Sequence, residues 1–558
     1  MLMLLTGCGD RPQKSDVGPA DGTAATQPEQ PSGAAREIER RLADGAAGEP
    51  ALPKTELADL QQLYQPGHHT PLWFDTSRKL TPAADQALAL LGAAAAEGLD
   101  PAEYGAEALA TQVRSMKEAR QPVDADVASL DLALSRATLR YLRHLHAGRI
   151  DPKTVGFQMP AKAAETDFAA ALRPALEKQR LEDAVAQLRP PLEQYRSLRA
   201  MLARYRTLAS QPAPAPLPAV PRELKPGEAY SGAPALRERL VLLGDLPVDT
   251  PPLADGGRYD GALVDGVKKF QARHGLPAEG VLGKGTVAAL NVPLDRRVRQ
   301  IELALERLRW FPHLENRPFV GINIPMYRLW AGGPQALDGR TALDMDVIVG
   351  GALDTETPAM VEEMRYVVFS PYWNVPTSIV RKEILPALAR DPQYLVKHEM
   401  ELVRGGGDDA APVEATPENL EQLAQGQLRV RQRPGQKNSL GPAKFIFPND
   451  DSVYLHGTPA QQLFDRSRRD LSHGCVRLEN PLALAQWVLR DQPEWTKERI
   501  EAAMGGGEQV KVDLKQPVQV LLFYITAMVA PEDGALHFAD DIYGHDKKLD
   551  QALAERRT

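Results

Sequence analysis

The spacing of apolar residues predicts a helical first part of the chain. Between about residues 36 and 210, apolar residues recur at helical spacing, as in Ala83–Ala96 and Leu130–Leu145. Five apolar residues of the second stretch share one helical face: Leu132, Ala133, Leu139, Leu142 and Leu145. The pattern predicts a helical domain over residues 36–210, in which Leu72-Trp73-Phe74 is a local packing anchor.

A compact unit of short helices is predicted after a proline-rich linker. The linker, residues 211–229, alternates proline with small residues and is typical of a semi-rigid spacer. Within residues 230–295, three short stretches have helical spacing or follow glycine turns, and Gly275 ends the second of them. The predicted helices are Ala235–Leu243, Asp260–His274 and Thr286–Leu290.

From about residue 317 the period of apolar residues changes to two, which is typical of strands. Proline and glycine clusters separate these strands and favour an all-β sandwich within a domain of residues 296–547. Residues 378–436 are helical and then polar and glycine-rich, with Gly405–Gly407, so we expect a helical insertion with little apolar material. Residues 548–558 form a C-terminal tail. The predicted strands are Phe319–Ile324, Met345–Val349, Tyr366–Phe369, Lys444–Phe447, Val453–Leu455 and Val518–Val529.

Composition narrows the class of protein. A chain of 558 residues exceeds one core and indicates about three or four domains. Hydrophobic residues at 43% and charged residues at 25% are globular values. A net charge of −8 argues against a nucleic-acid partner. The most apolar run, Val518–Ala530, has about a dozen residues where a bilayer needs ~20, so we interpret it as a buried strand.

The two cysteines, Cys8 and Cys475, form no disulfide framework and need separate explanations. Leu5-Thr6-Gly7-Cys8 resembles the lipobox of bacterial lipoproteins, which implies lipidation of Cys8 and export. The usual basic and full apolar leader regions are missing, so a stray cysteine in a disordered leader is the alternative. Residues 10–35 are rich in Pro, Gly, Ala and Gln, as a spacer would be, and residues 1–35 are interpreted as leader remnant and spacer.

Cys475 is the candidate nucleophile, in the run Ser472-His473-Gly474-Cys475-Val476-Arg477. A thiol attacks as the thiolate, and an imidazole within hydrogen-bond reach takes its proton. His456 lies 19 residues upstream, directly after a predicted strand, and is the candidate base. A buried structural cysteine is the alternative. A zinc site needs about four ligands, and no second cysteine lies nearby, so we expect no metal.

The residues beside Cys475 have candidate roles of their own. Gly474 allows a tight backbone conformation, and the N–H groups of Gly474 and Cys475 are candidates to bind a developing oxyanion. Arg477 lies two residues on, on the same side of an extended chain, and is a candidate to hold a substrate carboxylate. His473 is either an oxyanion neighbour or a turn residue.

These motifs together resemble a known enzyme family. Tyr454–Thr458, Phe464 and Leu471–Leu478 resemble the catalytic motif of the L,D-transpeptidase (YkuD-type) family. Tyr259–Asn291 is similar to the three-helix peptidoglycan-binding domain. Some large members have Ser where His473 stands. Stretches elsewhere resemble the large Gram-negative members of the family: Leu63-Tyr64, Pro71–Trp73, Gly98–Pro101, Gly148–Pro152, Phe369–Pro376, Asn438–Asn449 and Asp540–Asp546.

The resemblance implies a multidomain α+β architecture: a helical scaffold domain, a three-helix peptidoglycan-binding bundle and a YkuD-type β-sandwich. It implies a cell-wall enzyme without a cofactor, in which Cys475 attacks a tetrapeptide stem, releases D-Ala and passes the acyl group to a meso-diaminopimelate amine, giving a 3→3 cross-link. Carbapenems would acylate the same thiol. The expected location is the periplasm, anchored by lipid on Cys8. The expected substrate-binding residues are Arg477, Tyr454, Trp373 and Ser472.

Two other functions stay open at this stage. A hydrolase or amidase of the same fold would share the acyl-enzyme and differ only in what resolves it. A wall-binding scaffold with an inactive catalytic domain is the second, and the intact pair of Cys475 and His456 argues against it.

Overall fold

The computed structural model describes residues 32–45, 52–160, 162–212, 214–251, 257–312, 314, 317–333, 341–352, 355–408, 410–530 and 533–556. Cys8, and with it the lipidation prediction, lies outside the described residues. Within them, no helix is long and apolar enough to span a bilayer.

The first part of the chain is helical, as its apolar spacing predicts. The longest helix, α5, buries the predicted face of Leu132, Leu139, Leu142 and Leu145. Trp73 is fully buried against it, and its indole N–H donates to Ser135 Oγ at 2.8 Å. In the described part of this region the eight α-helices are α1 Gly33–Ala43, α2 Lys54–Tyr64, α3 Pro82–Gly92, α4 Ala106–Glu118, α5 Asp124–Ala147, α6 Phe168–Glu177, α7 Leu181–Leu188 and α8 Glu193–Ala209.

The small unit after the linker has its own hydrophobic core. Its helices are α9 Ala233–Leu243, α10 Ala262–Ala272 and α11 Lys284–Leu290, close to the predicted bounds. Two short antiparallel strands, β1 Glu228–Ala229 and β2 Arg258–Tyr259, complete it. The core includes Leu236, Leu240, Tyr259, Leu263, Val267 and Phe270.

One helix joins the helical region to the β-rich region. Helix α12, Leu294–Leu308, packs along α8, and its Glu306 is fully buried between Arg149 and Arg309. A single hydrophobic core therefore runs from the helical region into the sheet. Residues 548–555 of the predicted tail belong to helix α19, His545–Glu555, which buries Leu549 and Leu553 and packs against α12.

The catalytic candidate residues lie on one nine-stranded sheet. Its order is β13-β5-β14-β12-β11-β6-β15-β3-β4, and β4 also pairs with β5, so the sheet closes on itself. The predicted separation into two sheets of a sandwich is therefore not confirmed, because backbone hydrogen bonds continue around the sheet. The strands are β3 Phe319–Asn323, β4 Arg328–Gly332, β5 Leu343–Gly350, β6 Met360–Phe369, β11 Ala443–Ile446, β12 Leu455–His456, β13 Asp470–Ser472, β14 Val476–Leu478 and β15 Val510–Phe523.

Two short strands and two short helices of the described chain lie outside the nine-stranded sheet after the Cys475 motif. The predicted strand Val518–Val529 is divided, because the chain turns after Phe523 and continues as β16 Ala527–Val529, paired with β17 Leu536–Phe538. Helices α17 Pro481–Val488 and α18 Lys497–Gly505 follow the Cys475 motif.

The insertion is not helical throughout, which corrects the sequence prediction. It contains a four-stranded sheet of order β7-β10-β8-β9 and a core that includes Val380, Leu402, Leu428 and Val430. The apolar residues that build this core lie on helical segments, such as Val380, and on the strands at either side of the glycine run, such as Leu402 and Val430, so they are scattered along the sequence. The elements are β7 Trp373–Asn374, α13 Thr377–Ile379, a π-helical turn Val380–Ile384, α14 Leu385–Arg390, α15 Tyr394–Lys397, β8 Met400–Arg404, β9 Ala411–Val413, α16 Pro417–Ala424 and β10 Arg429–Gln432.

Candidate active site

The pairing of β12 with β14 brings the catalytic candidates together. The two strands are parallel, with Leu455 opposite Val476 and His456 opposite Arg477. The Val476 N–H donates to the Tyr454 carbonyl at 3.1 Å, which extends the register to the residue before each strand. Because side chains alternate along a strand, Tyr454, His456, Cys475 and Arg477 share one face of the sheet. Leu455 and Val476 point to the other face and are fully buried.

Hydrogen bonds fix the turn that carries Cys475. Gly474 has φ +113°, a backbone conformation that favours glycine. The Ser472 Oγ donates to the Cys475 carbonyl at 2.5 Å and accepts from the Gly474 N–H at 3.2 Å. The Gly474 N–H is thus occupied within the turn, which corrects its predicted oxyanion role. The Cys475 N–H makes no hydrogen bond within the described residues, so it remains the candidate donor.

Two residues that the sequence reasoning did not single out support this turn from below. The fully buried Thr357 donates through Oγ1 to the Gly474 carbonyl and accepts from the Gly350 N–H, both at 2.8 Å. Tyr543 donates through its hydroxyl to the Gly350 carbonyl at 2.5 Å and accepts from the Thr357 N–H at 3.2 Å. A Cβ on Gly350 would lie 1.9 Å from the Thr355 carbonyl oxygen, so this approach requires glycine. Tyr543 lies in the Asp540–Asp546 stretch noted above, but nothing local to it indicated this contact.

The Cys475 thiol is half-buried and neutral in its resting surroundings. Its Sγ donates to the Ser452 carbonyl at 3.9 Å. Burial raises the pKa of Cys475, while hydrogen bonds from Tyr454 and the charge of Arg477 lower it only in part. Burial and the neighbouring thiol also raise the pKa of the Tyr454 hydroxyl, so it stays a proton donor. Tyr454, predicted to bind substrate, therefore contacts the nucleophile itself.

His456 is a buried, neutral imidazole. Its Nδ1 contacts the Gly457 carbonyl at 2.5 Å, and because a carbonyl only accepts, Nδ1 carries the proton and Nε2 the lone pair. Burial and then Arg477 lower the pKa of His456 to about 3, and the carbonyls of Gly457 and Leu440 offset this only in part. No hydrogen bond joins His456 to Cys475 within the described residues. The ring lies beside Tyr454, with centroids 5.7 Å apart. Its role as the base stays a prediction.

Arg477 presents an uncompensated charge beside the thiol. Its guanidinium is half-buried, forms no ion pair in the part of the chain that the structure describes, and its Nε lacks a hydrogen-bond partner. Burial lowers its pKa, and the group stays cationic at neutral pH. A buried guanidinium is stabilised by a carboxylate, so this side chain can bind an anionic group of a ligand at the face that carries Cys475.

The two remaining site predictions involve the insertion. His473 is exposed, and its Nε2 lies 2.7 Å from Glu383 Oε1 in the π-helical turn of the insertion. The insertion therefore reaches the nucleophile's turn. Trp373 is half-buried in β7 and packs against the insertion's core. Its role in substrate binding stays a prediction. Among the described residues, no group of three or more His, Cys, Asp or Glu is arranged to hold a metal ion.

Comparison with known proteins agrees with this geometry. Residues 319–520 match the model of an L,D-transpeptidase catalytic domain, which confirms the resemblance. Residues 231–290 match a putative peptidoglycan binding domain, and residues 58–202 a scaffold domain. The chain is 33% identical over 282 residues to a putative L,D-transpeptidase of Haemophilus influenzae. That match covers 50% of this chain and 55% of the relative, so the chain spans about half the length of the curated relative it matches.

Proposed function

We propose that the protein is a peptidoglycan L,D-transpeptidase whose nucleophile is Cys475, because residues 319–520 match the model of an L,D-transpeptidase catalytic domain. The observation that carries this proposal is the shared face of Tyr454, His456, Cys475 and Arg477, which β12 and β14 set by their register. A thiol, a neutral imidazole and an unpaired guanidinium on one face supply a nucleophile, a base and a carboxylate-binding group.

The first half-reaction is acylation of Cys475 by the donor stem. The Sγ proton moves to Nε2 of His456 as sulfur attacks the carbonyl carbon of the L,D-peptide bond in a tetrapeptide stem. The carbonyl oxygen becomes an oxyanion, which the Cys475 N–H stabilises. The C–N bond then breaks, the imidazolium returns its proton to the leaving nitrogen, and D-Ala departs. The product is an acyl thioester on Cys475.

The second half-reaction transfers the acyl group to an amine. The side-chain amine of a meso-diaminopimelate residue on a neighbouring stem attacks the thioester carbonyl and gives a proton to His456. Collapse expels the Cys475 thiolate, which recovers its proton from the imidazolium, and a 3→3 cross-link has formed. Water in place of the amine would give hydrolysis, so access of water decides between the two outcomes.

The state of the resting pair limits when proton transfer occurs. Since burial raises the pKa of Cys475 and lowers that of His456, the resting enzyme holds a neutral thiol and a neutral imidazole. Proton transfer is then coupled to attack on a bound substrate, as general-base catalysis requires. Such a resting thiol is poorly reactive toward solutes that do not occupy the site. Arg477 supplies affinity for a stem carboxylate.

The other parts of the chain are given supporting roles in the proposal. The small helical unit would hold peptidoglycan near the catalytic domain, and this is supported by its match to a putative peptidoglycan binding domain. Export to the periplasm and lipid anchoring at Cys8 complete the proposal, on the sequence evidence alone.

The test of the proposed function uses purified protein and a disaccharide tetrapeptide. We expect cross-linked dimers with 3→3 linkage and release of free D-Ala, and loss of both in Cys475→Ala, a change small enough to keep the fold. Release of D-Ala with tripeptide monomers and no dimers would instead assign a hydrolase of the same fold. Absence of both D-Ala and dimers from the wild-type protein would refute the proposal and favour a wall-binding scaffold.

A further inference from the structure

A cavity in the helical region, remote in sequence from the Cys475 motif, has the composition of a ligand site. It has a volume of about 540 Å³, within the range of small-molecule pockets. Residues of α2 and α5 form its walls, and Trp310, after α12, and Arg556, at the end of α19, also line it. Part of the wall is apolar, through Leu60, Leu139 and Ile150. We name it the scaffold cavity.

The charges around the scaffold cavity do not balance. Six cations line it: Arg136, Arg140, Arg143, Arg149, Lys162 and Arg556. Three carboxylates do so: Glu56, Asp59 and Asp151. Glu56 alone is shared between Arg136 and Arg140, and Asp59 pairs with Arg143. Arg149 forms ion pairs with Glu103 and Glu306, which do not line the cavity.

Two of these cations have no carboxylate partner in the described part of the chain. Lys162 is 8% exposed, and its Nζ donates to the carbonyls of His146 and Arg309 at 3.3 and 3.2 Å. An ammonium has three protons, so one is left for a further acceptor. Arg556 donates to the Arg149 carbonyl and lies 3.4 Å from His144 Nε2. Burial alone lowers the pKa of Lys162, to about 8.

Two residues that line the cavity also carry buried donors without acceptors. Within the described part of the chain, Arg149 Nη2 and Trp310 Nε1 have no hydrogen-bond partner, and the two residues are only 3% and 2% exposed. Buried N–H groups are almost always satisfied, and a missing partner costs about 1–3 kcal/mol. The polar groups of this region therefore have more donors and positive charge than the protein satisfies, and an acceptor that carries negative charge would stabilise the cations that line the cavity.

We propose that the scaffold cavity binds a small organic anion with two or more oxyanion charges, held by Lys162 and Arg556. The apolar wall indicates a ligand with a carbon body, since inorganic phosphate alone would leave most of the volume unfilled. Carboxylates and phosphate esters share this chemistry, and the cavity walls contain no feature that prefers one of them. Because Trp310 follows α12, which contacts β16, and Arg556 follows α19, which packs against α12, the ligand would link the helical region to the C-terminal elements of the chain.

The test measures binding of pyrophosphate, citrate and a tetrapeptide muropeptide to the full chain by calorimetry in a chloride buffer. The tetrapeptide arm uses the Cys475→Ala protein, so that turnover is absent. We expect saturable binding of at least one probe at one site per chain, and a loss of about tenfold or more in affinity in Lys162→Met/Arg556→Met. A matched control, Lys178→Met/Arg196→Met, removes two exposed cations of the same region and should keep wild-type affinity.

The three probes separate the sources of the anion. Preference for pyrophosphate assigns phosphate chemistry, and preference for citrate or the tetrapeptide assigns carboxylates, with the tetrapeptide pointing to stem peptides. A second readout guards against misfolding: Lys162→Met/Arg556→Met should keep the cooperative thermal transition of the wild-type protein. No saturable binding of any probe, or equal weakening in the control pair, would overturn the proposal.

Discussion

Thr357 holds the turn that carries Cys475, so its replacement by Val tests how strongly this turn positions the nucleophile. Valine keeps the shape of threonine but removes the hydroxyl that serves the Gly474 carbonyl and the Gly350 N–H, both at 2.8 Å. Thr357 is fully buried, so water does not replace the lost bonds. We expect a folded protein in which the Gly474–Cys475 turn is poorly held.

The magnitude follows from the two backbone groups left unsatisfied. Each buried donor or acceptor without a partner costs about 1–3 kcal/mol, and local relaxation places the sum at about 2–4 kcal/mol in the free energy of unfolding. If about 1–3 kcal/mol of this acts on the position of Sγ in the transition state, kcat for acylation falls by about 5- to 150-fold. KM should change little, since Thr357 lies beneath the turn and not on the face that carries Cys475.

The assay combines urea unfolding with single-turnover release of D-Ala from a tetrapeptide muropeptide. The matched control is Thr138→Val in α5, where Oγ1 is buried and has no hydrogen-bond partner in the described chain. We expect the control to keep its stability and its acylation rate. Wild-type kcat in Thr357→Val, or an equal loss in both variants, would refute the reasoning that this hydroxyl positions the nucleophile.

Three further predictions follow from the same structure. Alkylation of Cys475 by iodoacetamide, read by peptide mass, should be slow at neutral pH and rise only above the ordinary thiol pKa, because burial raises the pKa of this group; a fast reaction at neutral pH would contradict a neutral resting thiol. Glu306→Gln should lower the free energy of unfolding by about 3–5 kcal/mol, since Arg149 and Arg309 stay buried without their shared carboxylate. Burial would raise the pKa of Glu306, but the two guanidiniums lower it to about 2. The contribution of Glu306 to the free energy of unfolding is therefore complete above about pH 4.3 and is lost as the pH falls toward 2. If urea titrations showed the same loss of stability in acid for wild type and variant, this prediction would be wrong. If the insertion excludes water from the thioester, Glu383→Ala should raise the ratio of hydrolysis to cross-linking by about 1.5- to 5-fold, since the exposed pair of Glu383 and His473 contributes about 0.2–1 kcal/mol. Lys382→Ala, a change at the neighbouring exposed residue, should leave the ratio as it is. An unchanged ratio in both variants would show that this contact of the insertion does not exclude water.

Local patterns predicted much of the architecture. The buried face of α5 and the helices of the small unit follow from spacing, because each buries a stripe that its own sequence defines. The sequence indicated the site through Cys475 and through His456 at the end of a predicted strand. The structure brings the two motifs together because β12 and β14 are neighbouring strands whose register places the motif residues on one face. The match to a catalytic domain family confirms that the motif is informative.

The features that the sequence did not predict depend on long-range contacts. Closure of the sheet rests on pairing of β4 with β5, which no periodicity reports. The insertion's core comes from residues on both sides of its glycine run, so no single window is apolar. Thr357 lies 117 residues before Gly474 along the chain, and Tyr543 lies 193 residues after Gly350. Only the fold brings the members of each pair together. The hydrogen bond from the Gly474 N–H to Ser472 Oγ depends on the rotamer of Ser472, which the sequence does not report.

A thioester on Cys475 is tested most directly by intact-mass analysis of the enzyme after mixing with a tetrapeptide donor whose diaminopimelate side-chain amine is acetylated, so that no acceptor is present. We expect a mass increase equal to the donor minus D-Ala, mapped to the peptide that carries Cys475 and reversed by hydroxylamine. A carbapenem should leave a stable adduct on the same peptide. Cys475→Ala should show neither mass. An adduct on another residue, or D-Ala release that persists in Cys475→Ala, would show that Cys475 is not the nucleophile.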